Sequence, residues 1–309
     1  MYCRGQLVEL QQDQAVLERA GFGLAAISYD SEAVLREFAA RKSITFPLLA
    51  DHESNVIHAF DVANRRYGKG TLLDVQSEQI TDMLGDVPVY GVAYPAVFVM
   101  DRNGKILWRF VSEADELRLT GTAILERAVR VPAHESRTSL TTGRFPVAVT
   151  ASNSDVRLGN RLRISVEWKM PPGFHMYGPE VGRGFHGVEW TMDDSSCWYE
   201  SDPEYPSPQL RHFAFEEGEL PVYTGAVRVT RELVLKPVLS AAEPSLFRLF
   251  QKVCLDAKGQ VKASGVVRFQ VCDERECYPP QSVRVEWKFH FVGPDLERAS
   301  PALRREFER

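Results

Sequence analysis

The segment Val266-Val267-Arg268-Phe269-Gln270-Val271-Cys272-Asp273-Glu274-Arg275-Glu276-Cys277-Tyr278-Pro279-Pro280 runs a short apolar strand into a proline-stiffened turn. It sets two cysteines, with four residues between them, at the strand's end. A second strand-like run, VRVEWKF, follows from Val283. Working back along the chain, similar alternating runs begin at Phe145 (FPVAVTA), Leu162 (LRISVEW), Gly187 (GVEWTM) and Val227 (VRVTRELVL). They are separated by turn-forming residues such as Pro171-Pro172-Gly173, Pro203, Pro206 and Pro208. Short half-buried strands at this spacing predict an all-β sandwich. Residues 238–258 fit that rhythm poorly. Leu246, Leu249 and Phe250 there match a helical stripe, which is read as an insertion or an irregular edge.

The first 130 residues alternate helical and strand patterns instead. Gln6 to Ala20 sets Leu7, Leu10, Leu17 and Ala20 on one helical stripe, and Gly23 to Tyr29 is strand-like. Ser31 then caps a helix carrying Val34, Leu35 and Phe38. Ser54 to Phe60 reads as a further helix and the stretch to about residue 90 as loop. Ala96 to Met100 and Lys105 to Phe110 flank Asp101-Arg102-Asn103-Gly104, a hairpin signal because Asn-Gly accepts the positive φ of a tight turn. Leu117 to Val129 is read as a closing helix with Leu117, Ile124, Leu125 and Ala128 on one face. This region is expected to be α/β with a mixed sheet. The polar stretch at 131–143 is read as a linker, so the boundaries are 1–130, 131–143, 144–292 and a C-terminal tail at 293–309.

At 309 residues the chain has room for two cores. With 44% apolar residues, 26% charged residues and a net charge of -5, it carries no basic patch for nucleic acid. No apolar run reaches the roughly 20 residues of a membrane span. The start, Met1-Tyr2-Cys3-Arg4-Gly5, shows no secretory signal pattern. The five cysteines are Cys3, Cys197, Cys254, Cys272 and Cys277, an odd number that leaves at least one outside any internal framework.

Only Cys272 and Cys277 are close in sequence. A disulfide between them would close a small loop where an incoming thiolate can reach it, which suits exchange chemistry. The carboxylates of Asp273, Glu274 and Glu276 would raise the thiol pKa and make the reduced pair a slow, selective nucleophile. The other readings are a plain stabilising disulfide or two buried thiols. A metal site is weakly supported, because one C-x4-C with scattered His175, His186, His212 and His290 lacks zinc-ligand spacing. Cys197 and Cys254 have no motif around them and are read as packing residues.

Ser264 to Cys272, continued through Cys277-Tyr278-Pro279-Pro280, resembles the N-terminal, periplasmic, immunoglobulin-like domain of the thiol:disulfide interchange protein DsbD. Trp168 with Gly173-Phe174-His175-Met176-Tyr177 is similar to that family's aromatic motif, and Leu220-Pro221-Val222-Tyr223-Thr224-Gly225 to its cap loop. The resemblance covers roughly residues 145–291. It implies that Cys277 forms the mixed disulfide and Cys272 resolves it, with His175, Tyr177 and Tyr223 at the site facing a partner. It also implies a thioredoxin-like redox partner and a periplasmic location.

The first half resembles the thioredoxin-like AhpC/TSA redoxin family through Tyr2 to Leu10, Ser28-Tyr29-Asp30, Phe46-Pro47-Leu48-Leu49 and Gly91-Val92-Ala93-Tyr94-Pro95. By that resemblance Cys3 matches only the second cysteine of a W-C-x-x-C motif. The first cysteine and the strand before it would precede Met1, so the start is expected to be truncated. Pro95 would be a cis-proline facing the active cysteine. No P-x-x-x-T-x-x-C motif is present, which counts against a peroxidase.

The expectation is therefore a two-domain chain, an incomplete thioredoxin-like α/β domain followed by an immunoglobulin-like sandwich. It would act as a thiol-disulfide oxidoreductase or electron relay needing no dissociable cofactor. The alternative is a non-catalytic interaction module with a structural disulfide and a vestigial redoxin domain. Oligomeric state is not readable from the sequence.

Overall fold

The computed structural model describes residues 2–65, 92–113, 118–124, 136–140, 145–182, 184–236, 244–297 and 301–308. The N-terminal region is mixed α/β. Helix α1 (Tyr2–Arg19) precedes β1 (Ala26–Ser28), α2 (Glu32–Lys42), β2 (Leu48–Ala50) and α3 (Asn55–Ala59). Ser31 caps α2 through its hydroxyl, which accepts from the Val34 amide, so a backbone donor without a helical partner is satisfied. β1 and β2 pair in parallel. β3 (Ala96–Met100) and β4 (Ile106–Val111) form the antiparallel hairpin, turned at Gly104 with φ 81°. Among the described residues these are two separate two-stranded sheets, not one mixed sheet. Leu10, Phe38, Ile44, Phe46, Val99, Leu119 and Ile124 make the core of this region.

Of the closing helix expected over Leu117 to Val129, the described residues show α4 (Gly121–Ile124), which starts later than expected because Arg118 and Leu119 form strand β5. Leu117, Leu125 and Ala128 lie outside the described residues. Gly121 is needed at the start of α4, since a Cβ there would sit 2.2 Å from an Asp13 carboxylate oxygen.

The C-terminal region is β-rich. One sheet holds β7 (Val147–Ala151), β9 (Asn160–Lys169), β12 (Trp198–Glu200) and β15 (Ala226–Leu235), with β5 added in parallel along β9. Inside the stretch read as a linker, β6 (Ser136–Leu140) pairs antiparallel with β7. A second sheet orders β11 (Glu189–Met192), β16 (Gln260–Phe269), β18 (Gln281–Phe291) and β8 (Asp155–Val156). In β18 burial alternates residue by residue, as one wet face and one dry face demand. Val149, Val166, Trp168 and Val229 from the first sheet and Val261, Val267, Val285, Trp287 and Phe289 from the second share one apolar core.

Residues 244–254 form helix α5 (Pro244–Cys254), and its Cys254 is bonded to Cys197, so these two cysteines form a bridge instead of merely packing. Partners 57 positions apart leave no local signature in sequence. In the stretch read as a tail, α6 (Pro301–Glu308) packs Phe307 against Phe247 at 5.1 Å between ring centroids. The bridge closes a long loop, so the double change Cys197→Ser with Cys254→Ser is expected to cost about 2–4 kcal/mol. Urea unfolding without reductant checks this.

The N-terminal helix docks on the β-rich region through charge. Arg157 reaches Glu9 at 2.9 Å, and the Asn160 amide donates to the same carboxylate. Arg4, Arg41 and Lys42 converge on Glu297. Burial raises the Glu9 carboxyl from 4.5 to about 7, outweighing the opposing pull of Arg157. The folded state therefore holds a proton that the unfolded chain releases near pH 4.5, and stability falls as pH rises from 4.5 to about 7. Glu9→Gln is expected to flatten that slope and to stabilise the chain above pH 7 by about 1–2 kcal/mol. Urea midpoints on either side of the window test the sign.

Candidate functional site

A third sheet carries the site. It orders β13 (Gln209–His212), β14 (Glu219–Thr224), β10 (His175–Tyr177) and β17 (Val271–Cys272). In β10 all three residues are buried, and alternation sends them to opposite faces. Met176 points into the main core with its neighbour Val271. His175 shares the other face with Cys272, its direct antiparallel partner, and with Tyr177, whose partner on β14 is Val222. Tyr177, Val181, Leu220, Val222 and Cys272 form a small apolar cluster on this face, with Phe185 and Phe213 packed against it.

Cys272 and Cys277 are joined by a disulfide, with Cα atoms 4.0 Å apart across a single antiparallel bridge. Asp273 builds the loop between them. Its carboxylate accepts the amides of Arg275 and Glu276 at 2.8 and 2.9 Å and the Tyr278 hydroxyl at 2.8 Å. An Asp at the first loop position makes this Asx turn from sequence alone. These donors, the Arg275 amide foremost, hold the Asp273 carboxyl below the usual carboxylate range. Tyr278 is fixed in turn by its amide on the Val271 carbonyl and by its ring against Phe145 and Phe174.

The two cysteines differ sharply in exposure. Cys272 is 1% exposed, whereas Cys277 is exposed. The Tyr177 hydroxyl lies 3.7 Å from the Cys277 sulfur, and burial raises its pKa, with Glu216 adding to the rise. His175 is 2% exposed, and burial lowers its pKa, with Arg211 adding and Asp273 opposing. A thiolate arriving from solvent can meet Cys277 and leave Cys272 as the buried leaving group, the asymmetry that stepwise exchange needs.

The structure gathers Cys272, Cys277, His175 and Tyr177 in one place. Tyr223 is elsewhere. It stands opposite Met176, one residue out of phase, packs in the main core and donates to the Pro206 carbonyl at 2.7 Å. The segment Leu220 to Thr224, expected as a covering loop, is strand β14, and its Leu220 and Val222 face the cluster. Trp168 likewise packs on Phe269 in the main core. Cys3 is exposed on α1 and belongs to neither bridge. The Tyr94–Pro95 bond is trans, the state X-Pro bonds favour unless contacts force the other, so the cis expectation is corrected.

The covering aromatics were missed in sequence. The Phe213 ring lies 4.8 Å from His175 and the Phe185 ring 4.8 Å from Tyr177, and Phe215 stacks on Phe213 while 59% exposed. The available signal was Phe213-Ala214-Phe215 set directly before the acidic turn Glu216-Glu217-Gly218-Glu219, where exposed aromatics have no solubility purpose. Among the described residues no cluster of metal-ligating side chains occurs, and no helix is long and apolar enough to cross a membrane.

The cysteine pair at the end of a β-sheet and the family comparisons together support thiol-disulfide redox function in the general sense. Residues 144–287 match the family of the N-terminal domain of the thiol:disulfide interchange protein DsbD, and residues 1–109 match the AhpC/TSA family. The chain is similar to the reduced DsbD N-terminal domain of Neisseria meningitidis at 17% identity, over 47% of this chain and 86% of that one, with a TM-score of 0.29. It is also similar to the N-terminal periplasmic domain of ScsB from Proteus mirabilis at 19% identity, over 57% of each chain, with a TM-score of 0.31. No curated protein matches it.

Proposed function

We propose that the chain is a thiol-disulfide oxidoreductase or electron relay that exchanges disulfides through Cys272 and Cys277. A partner thiolate attacks the exposed Cys277 sulfur, the Cys272–Cys277 bond breaks, and its electron pair leaves on Cys272. Cys272 then resolves the mixed disulfide in the reverse step. The observation that carries this reading is the access of Cys277 beside the near-complete burial of Cys272. Tyr177 and His175 border the bridge, and the partner is a protein with a thioredoxin-like dithiol.

In this reading residues 144–292 are an immunoglobulin-like redox domain, residues 1–130 a thioredoxin-like domain in which Cys3 takes part in exchange, and residues 131–143 connect them. The family resemblance of the β-rich half favours the periplasm. No dissociable cofactor is required, since both electrons reside in the sulfur pair.

The test is a redox titration of the intact chain in glutathione buffers, read by differential alkylation and mass spectrometry. Cys272 and Cys277 are expected to titrate together well above about -300 mV, in the range of exchanging pairs. A pair that stays oxidised throughout is a staple, and the chain is then a non-catalytic interaction module.

A further inference from the structure

His175 is an ionisable group inside the site that the exchange steps above do not use. It is 2% exposed, sits directly across from Cys272 in the β10–β17 pairing, and shares a sheet face with it. Side chains directly opposed in antiparallel strands have Cβ atoms about 4.5–5.5 Å apart, so the imidazole and the buried sulfur are immediate neighbours. Phe213 and Tyr177 hold the ring in place, at 4.8 and 5.5 Å between centroids. Its Nε2 is buried and has no hydrogen-bond partner. Buried polar atoms are nearly always satisfied, so an orphan nitrogen on the residue paired with Cys272 calls for an explanation.

Resting on the exchange reading, we propose that His175 is the proton acceptor and donor for Cys272. With its other nitrogen protonated, neutral Nε2 takes the proton from the Cys272 thiol. The Cys272 thiolate then attacks Cys277 in the mixed disulfide. The Cys272–Cys277 bond forms, the bond from Cys277 to the partner sulfur breaks, and the electron pair leaves on the partner thiolate. The imidazolium passes its proton to that thiolate through water. The oxidant is the mixed disulfide itself, so electrons and protons balance. In the opposite direction the imidazolium returns the proton to Cys272 as its thiolate leaves.

The surroundings match this task. Cys272 is 1% exposed, so bulk water is a poor base for it. Arg211 on β13 and burial favour the neutral imidazole, Asp273 beside β17 opposes them, and Glu216 acts on Tyr177 instead of His175. A neutral base that becomes cationic only beside a developing thiolate is coupled to the sulfur's charge.

The experiment uses the intact chain and two readouts. The Cys277 mixed disulfide with glutathione is prepared, and release of glutathione by Cys272 is followed against pH for the wild type, His175→Gln and His175→Tyr. Release is expected to slow about 100-fold in both variants, and its pH dependence to shift toward the alkaline limb of an unassisted thiol. Unchanged rates and profile in variants whose Cys197–Cys254 bridge stays intact would overturn the proposal. The second readout needs no variant. The imidazole titration of wild-type His175, followed by NMR, is expected to move between the oxidised and reduced protein. An identical titration in both states also overturns the proposal. If wild-type glutathione is never released, the exchange reading itself fails, a result distinct from either outcome for His175.

Discussion

Replacing Cys277 with alanine is expected to reduce thiol-disulfide exchange to the uncatalysed background, a loss of three orders of magnitude or more. Replacing Cys272 is expected to leave Cys277 reactive and to accumulate a long-lived mixed disulfide. The asymmetry follows from access. Cys277 sits at the exposed end of the Asp273–Glu276 loop, and Cys272 is 1% exposed on β17 beneath the cluster of Tyr177, Val222 and Phe213. An attacking thiolate reaches only the outer sulfur, so only Cys277 forms a bond to the partner, and without Cys272 nothing inside the molecule breaks it. Incubation of each variant with a thioredoxin-like protein that keeps one active cysteine, held as its mixed disulfide with glutathione, gives the readout by non-reducing electrophoresis and mass spectrometry: the variant's thiolate bonds to the partner sulfur and glutathione leaves as the thiol. Equal trapping by the two single variants would show that the sulfurs are interchangeable and would remove the assigned order of attack.

Trp168→Ala is expected to destabilise the chain by about 3–5 kcal/mol, the largest loss of stability for a single side chain here. Trp168 lies on β9 between Val147 of β7 and Val227 of β15, is 2% exposed, and meets Phe269 edge to face at 5.5 Å. Its removal leaves a void that the flanking strands, each bonded along its length, are poorly placed to close. Its indole N–H has no hydrogen-bond partner, so Trp168→Phe loses less, about 1–2 kcal/mol, because the orphan donor goes with the lost volume. Phe269 leads directly into the strand that carries Cys272. The alanine variant is therefore also expected to lose part of the difference in sulfur access and to be reduced faster by dithiothreitol. Urea unfolding gives the stability and a reduction time course gives the access. A loss below about 1 kcal/mol for Trp168→Ala would mean that the two sheets are not joined through this residue.

Local chemistry made much of this chain readable in advance. Period-two alternation marked the strands around Val147, Leu162, Val227, Val266 and Val283, because a strand with one dry face must alternate. Ser31 before an apolar stripe and Asn103-Gly104 between two strands marked a cap and a turn, since each satisfies a backbone need within a few residues. The loop from Cys272 to Cys277 was legible as a closure, with the sulfurs close enough in sequence to meet, whereas the turn that Asp273 builds in it was not read. Residues 144–287 and 1–109 carry the family matches that the same motifs foreshadowed.

Only tertiary structure decided the rest, and in each case the deciding contact is distant in sequence. Cys197 and Cys254 look alike as lone buried cysteines until α5 folds back across 57 positions. Tyr177 and Tyr223 look equally suited to the site, yet pairing register turns one to the sulfurs and the other into the core. The family resemblance places His175 at the site facing a partner, but only the pairing of β10 with β17 sets it directly opposite Cys272. The sequence by itself marked Cys272 and Cys277 as the two cysteines near enough to close a local loop, and the strands on either side of them. Which sulfur is buried, and which side chains surround it, was decided by strand register, because a shift of one residue exchanges the faces of a strand and no local signal encodes it.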